Sequence, residues 1–322
     1  MDSSELEQLV ARVLAMPAEW TDHPNAAFND PAFRSLFDGL RSGSHELRNT
    51  AVARLVAGLD ASDAYQAARV ALTIGTLVEY GAAPELAAEA VLGRLEAELI
   101  EPSQDSARHR RIVKFLGLAG MAMLSRSPSL RQAARRRTRL RAAVDDSDVS
   151  EAGFIARTLE LVDDLPLLVL HMERPEAFKL RIDAVASIFH FMTLLADRFP
   201  EWCGDDPPDP DLSAIARGEV PLTTNTSDHA RFHLFDYSGL DRHPGSSLWG
   251  EASPASIPSL DGERVVLVGR KLFGSRSWDA TFFANFHDAL LSSVRVEARL
   301  SAAEYEHWLA RVRAQLPAPK PQ

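Results

Sequence analysis

Apolar positions recur at helical spacing through most of the first 200 residues. Leu6, Leu9, Val10, Val13 and Leu14 mark one face of a first helix, the three-and-four spacing that lines a single side. Ser4 and Glu7 have the spacing of a capping box at its start, and Met16-Pro17 ends it. The polar stretch 17–30 reads as a loop. Asp30-Pro31 opens a short helix with Phe33, Leu36, Phe37 and Leu40 inward, closed near Gly43. Further helical patterns span 44–58, 62–80 with Gly81 as a left-handed cap, 84–99, 107–124, 128–144 and 148–164. A short one covers 167–172. The stretch from Glu176 to Phe199 lies between Pro175 and Pro200 and carries no charge from Ala184 to Ala196. Val185, Ile188, Phe189, Met192, Leu194 and Leu195 would fall on every side of a helix there. A helix apolar all round is buried on all sides, so this segment is predicted to be a central helix around which the others pack.

The pattern changes after Phe199. Residues 201–230 are dense in Pro, Asp and Gly and read as an irregular connection. Beyond them, Phe232–Tyr237 and Arg264–Val268 have strand character. Val294, Val296, Ala298 and Leu300 alternate with Arg295, Glu297 and Arg299, the period of a half-buried strand. Thr281–Leu291 reads as a helix capped by Ser277 or Asp279. Ser301 and Glu304 form a capping box ahead of Tyr305, Trp308, Leu309, Val312 and Leu316. The expected fold is therefore mainly α. Residues 1–200 form a large helical bundle or helical-hairpin array, 201–230 a connection, and 231–316 a small α+β domain, with a disordered tail at 317–322. The hairpins at 44–80 and 84–125 have similar lengths but no residue-by-residue self-similarity, so no repeat is assigned.

Composition narrows the class. The 322 residues are 46% hydrophobic and 25% charged, with a formal net charge of −10, which argues against a global electrostatic grip on nucleic acid or an anionic membrane. The single cysteine, Cys203, has no intramolecular disulfide partner. The acidic N-terminus lacks the basic and apolar regions of a signal peptide, and no apolar run reaches the roughly 18 residues of a membrane span. Together these features predict a cytoplasmic protein without a membrane partner.

Two stretches carry candidate chemistry. From Asp228 to Glu251 the chain holds His229, His233 and His243 with Asp228, Asp236, Asp241 and Glu251. Imidazoles and carboxylates together can hold a divalent metal and activate its water, and His229, His233, Asp236 and His243 are the ligands such a site would use. The competing reading is a solvated surface loop, since the spacing matches no HExxH pattern. Ser246 and Ser247 lack the strand-turn-helix frame of a nucleophile elbow. Gly269 to Ser275 has the glycine spacing of a phosphate loop, but Ser275 stands where its lysine belongs.

The second stretch is electrostatic. From Ser106 to Val144 there is no acidic residue, while eleven positions are Arg or Lys. Arg131, Arg135 and Arg139 would form a stripe on one helix, able to grip an acidic partner surface. The competing reading is intramolecular pairing with the acids of 145–164. No aromatic residue interleaves the arginine run, so base stacking is not suggested. His190, between Phe189 and Phe191, reads as a hydrogen-bonded core histidine rather than a ligand. Cys203 has no histidine near it to make it a nucleophile. The sequence leads to a non-catalytic interaction or adaptor protein, without a cofactor, that presents a basic helical face to a protein partner. The alternative is a metal-dependent hydrolase built on the histidines of the C-terminal part.

Overall fold

The computed structural model describes residues 2–16, 31–60, 63–102, 104–221, 226–241, 246–271, 276–280, 282 and 289–315. The chain divides into two units, Met1–Leu159 and Glu160–Gln322.

The first unit is helical. It contains α1 (Ser3–Ala15), α2 (Pro31–Arg41), α3 (His45–Leu59), α4 (Ala64–Glu79), α5 (Ala88–Ile100), α6 (Ser106–Arg126), α7 (Pro128–Arg135) and α8 (Thr138–Asp145), and most of α9 (Ser150–Glu160). Side-chain caps fix several starts. Asp63 accepts from the Tyr65 and Gln66 amides, and Asp105 from those of Ala107 and Arg108. Asp2 rather than Ser4 caps α1, accepting from the Glu5 amide. The helix buried on nearly every side in this unit is α4, with Tyr65, Val70, Ile74, Leu77 and Val78 all shielded. It crosses α6 closely. A Cβ built on Gly75 would lie 2.8 Å from the Ala119 Cα, so glycine lets the two backbones approach.

The second unit is a mixed sheet between helices. Its strands are β1 (Leu165–His171), β2 (Glu176–Asp183), β3 (Ser227–His229), β4 (Phe232–Phe235), β5 (Ser259–Leu260), β6 (Glu263–Arg270), β7 (Ser277–Asp279) and β8 (Ser293–Arg299). The main sheet runs β4-β6-β1-β2-β8 with β5 paired to β6, and β3 and β7 form a separate ribbon. Among the described strands only β1 and β6 run parallel. Alternate residues serve opposite faces. Leu167, Val169, Val266 and Val268 pack with Ile188, Phe191 and Leu195 of α10 (Ile188–Arg198). Leu168, Leu170, Val265 and Leu267 pack with Tyr305, Leu309 and Val312 of α12 (Ala302–Arg313). The sheet thus has a helix on each face. The capping box of Ser301 and Glu304 opens α12 as the sequence predicts.

Several expectations are corrected here. The single helix over Glu176–Phe199 is two elements. Glu176–Asp183 is β2, in which Phe178, Leu180 and Ile182 alternate with Lys179, Arg181 and Asp183. Ala184 at φ 53° turns the chain, and Ser187 caps α10 by accepting from the His190 amide. The apolar run at 167–172 is β1, a central strand buried on both faces and paired on both edges. Short apolar runs of this kind fit strand or helix equally until pairing decides. Residues 165–183 therefore belong to the sheet, and the helical unit ends near 159 rather than 200. The 201–230 connection contains α11 (Pro210–Arg217), capped by Asp209 and closed by Gly218 at φ 76°. Ser277 and Asp279 lie in β7 rather than at a helix start. The loop at 17–30, most of the helix assigned to 281–291 and the tail at 317–322 lie outside the described residues.

Candidate functional site

The basic stripe predicted on one helix is divided between two. The pattern over 128–144 breaks at Arg136-Arg137, where the Arg136 and Arg137 amides bond the Ala133 and Ala134 carbonyls in tight turns. Arg131 is only 2% exposed. Its Nη1 donates to the Leu124 carbonyl at 2.6 Å and to that of Ser125 at 3.2 Å. These are among the last carbonyls of α6, which lack partners within the helix, and a cation there also complements the helix dipole. Arg135 turns its Nε to the Leu159 carbonyl at 2.8 Å. Arg137 bonds Glu96 at 2.9 Å and Glu89 at 3.1 Å. Intramolecular pairing does occupy much of the block, through Asp63, Glu89, Glu96 and backbone carbonyls, and through Glu151, 3.1 Å from Lys114, among the acids of 145–164. Arg131, buried, is not a surface for a partner, and the half-buried Arg135 has its Nε engaged within the helical unit.

Arg139 differs. Its side chain is 73% exposed, with Glu96 3.8 Å from its Nε. It stands between two open clefts. One, of about 540 Å³, has Leu99, Ile100 and Pro102 on one wall and Ala142, Ala143, Asp146 and Asp148 on the other. The second, of about 440 Å³, lies between α5 and the α7–α8 turn. At the edge of the first, His109 Nδ1 meets Glu98 Oε1 at 2.9 Å. Ile100 is 38% exposed there, an aliphatic side chain left in water at the cleft mouth. Arg136 and Arg141 are also exposed. Arg110 of α6 is exposed as well, but of the exposed arginines only Arg136 and Arg139 line the clefts, at the start of α8.

The histidine stretch is dispersed. His229 ends β3, and its Nε2 contacts Asp206 at 2.8 Å. That hydrogen bond holds the Asp206 carboxyl below its ordinary pKa. His233 lies in β4, buried within the main sheet. Its burial, with Arg276 and Lys271 nearby, lowers its imidazole pKa. Asp236 spends its carboxylate on the amide and hydroxyl of Ser238. His243 lies outside the described residues. Among the described residues no three His, Cys, Asp or Glu side chains gather as a metal would require. Ser246 and Ser247 extend the edge of β4, with the Asp236 amide on the Ser246 carbonyl. Gly269 sits in β6, where a Cβ would strike Met172 Cε at 2.3 Å, so its role is packing. Phosphate-loop positions 272–275 lie outside the described residues.

His190 is fully buried. Its Nδ1 accepts from the Ala186 amide at 3.1 Å and its Nε2 contacts the Ala216 carbonyl at 2.7 Å, so Nε2 carries the proton. Burial pushes its pKa down to about 4 against the raising effect of that carbonyl. Cys203 is buried and its thiol is pushed up to about 11 by desolvation, which leaves it inert.

Two arrangements were not anticipated from sequence. Asp228 and Arg231 form an ion pair at 2.7 Å with side chains 0% and 4% exposed, and Thr193 Oγ1 donates to Asp228 at 2.6 Å. The pair ties β3 and its exit to α10. The i,i+3 acid-base spacing was its only sequence signal. The second arrangement is a ladder of rings. Phe189 stacks on Trp278 at 4.4 Å and 13°, and the Arg276 guanidinium lies 5.4 Å from Phe189 and 5.6 Å from Trp249. Trp249 is 66% exposed. Gly250 permits this, because a Cβ there would lie 2.0 Å from Phe189 Cζ, and its carbonyl accepts from the Phe189 amide at 2.8 Å. Both arrangements are structural features of the second unit, and the α8 surface of the helical unit is the candidate site. No protein family matches this chain, and no curated protein or solved structure is similar to it.

Proposed function

We propose that this chain is a non-catalytic interaction protein whose helical unit docks a protein partner along α8, centred on Arg139. The observation that supports this reading is the exposure of Arg139 between two open clefts while its neighbours Arg131, Arg135 and Arg137 are engaged within the unit. An arginine on a preformed concave surface, flanked by apolar side chains, is a common anchor of protein interfaces. The mixed charge of the clefts favours a protein over a nucleic acid, because Glu85, Glu89, Glu96, Asp146 and Asp148 line them beside the arginines and would repel phosphates.

Quantitative co-purification from the cell that makes the chain tests this. The expected result is a protein recovered with the native chain and depleted at least about tenfold with Arg139→Glu, the factor that a 1.4 kcal/mol loss produces. Recovery of every co-purifying protein at equal levels with both chains would refute it.

A further inference from the structure

The α8 cleft has a polarity opposite to the one that stabilises helices. Cations are favoured at a helix C-terminus and anions at its N-terminus. Here Arg137 is the N-terminal cap residue and Arg139 lies in the first turn, while Asp145 and Asp146 close the helix and Asp148 follows. No acid stands in the first turn and no base in the last. Glu89 and Glu96 offset Arg137, and Glu96 lies 3.8 Å from the Arg139 Nε, yet Arg139 remains largely in water. Local rules broken at a surface position tend to mark function. The side chains and the helix dipole point the same way, so the cleft is positive at one end and negative at the other. From residue 139 to 146 the helix rises about 10 Å. Leu99, Ile100 and Ala142 line the same cleft, with His109 among them.

We infer that this cleft takes a peptide segment of the partner that carries one acidic and one basic side chain about two helical turns apart around an apolar residue. The acid meets Arg139, the base meets Asp146 and Asp148, and the apolar side chain covers Ile100. The inference rests on the reading of α8 as the docking surface and adds the chemistry of what docks. Opposed charges set at a fixed spacing give register and exclude segments of uniform charge.

A random peptide library displayed on phage, selected on the full chain and counter-selected on Ile100→Glu, tests the inference. The expected result is enrichment of peptides with an acid and a base seven positions apart in a helix, or about three apart when extended. Peptides synthesised from that set should bind Arg139→Glu at least about tenfold more weakly, and selection on Arg139→Glu should instead enrich peptides with a base at both positions. Matching circular dichroism and melting temperature establish that the variant is folded. If it is not, Arg139→Gln replaces it, and a loss of binding is again expected. No enrichment, enrichment without the paired charges, or equal binding to the variants would overturn the inference. A co-purified partner that depends on Arg139 without paired charges in the selected peptides would leave the docking surface standing and remove only this specificity. Failure of both experiments would remove both.

Discussion

At the scale of single residues, three arginines of similar sequence context have three different physical roles. Arg131 is a buried donor to helix-end carbonyls, Arg137 is paired with two glutamates, and Arg139 is exposed. Their substitution to alanine should separate them. Arg131→Ala removes charge-assisted hydrogen bonds and leaves the Leu124 carbonyl without its donor. A cost of about 2–3 kcal/mol is expected, whereas Arg139→Ala should stay within about 0.5 kcal/mol as an exposed change. Urea denaturation measures both, and equal effects would contradict the assignment. The charge block was legible in the sequence, but its division was not. Which arginine turns inward depends on the break at Arg136-Arg137 and on carbonyls of α6, and neither leaves a mark in residue type.

His190 supplies a second test at this scale. Its folded pKa is lowered to about 4 by burial, while an unfolded histidine titrates near 6.5. Between those values the unfolded chain binds a proton that the folded chain does not. Stability from this group is thus complete above about pH 6.5 and falls as the pH drops toward 4. The slope approaches about 1.4 kcal/mol per pH unit, a total on the order of 3 kcal/mol. His171 and His233, also lowered by burial, act in the same direction. Urea midpoints across pH 4–7 should show a shallower dependence for His190→Gln than for the native chain. An unchanged slope would contradict this account. The core role of His190 was readable from its position between two phenylalanines, since a polar ring in an apolar run requires its hydrogen bonds satisfied.

At the scale of elements, packing decides what periodicity leaves open. The α4–α6 crossing depends on Gly75, whose added Cβ would lie 2.8 Å from the Ala119 backbone. Alanine is the better helix former by about 1 kcal/mol. Here the overpacking cost of about 1–3 kcal/mol should prevail, so Gly75→Ala is expected to lower the denaturation midpoint. A raised midpoint would show that the helices do not approach this closely. Other elements were legible because their signals are local. The capping box fixes α12, and alternation fixes β8. β2 has the same alternation from Phe178 to Asp183, yet it was absorbed into a helix because the apolar residues of α10 follow with no proline or glycine between them. The turn at 184 relies on a non-glycine residue at positive φ, which no sequence signal marks. β8 pairs with β2 alone in the main sheet. Its register slips at Lys179–Leu180, leaving Glu297 as an extra residue, and Arg295 and Glu297 pair with Asp183 and Arg181. A bulge and charges on an edge strand are devices that discourage further strand addition.

At the scale of the whole molecule, a helical unit and an α+β unit were both foreseeable, and the place of the boundary was not. Continuous apolar runs such as β1 become strands through pairing, here with β2 next in the chain and with β6 about 100 residues away. No helix among the described residues is long and apolar enough to cross a membrane. The net charge of −10 coexists with the acid-free block because α5 places Glu89 and Glu96 against it. Arg139 and Arg141 of α8 stay exposed, and the functional account stands or falls there. The most direct measurement is site-specific photo-cross-linking in the cell that makes the chain, with the reactive group at position 139 and, as a control, at exposed position 12. One discrete protein attached at 139 but not at 12, and lost when Ile100→Glu is added, is the predicted result. No attachment at 139, or the same products from both positions, would contradict the account.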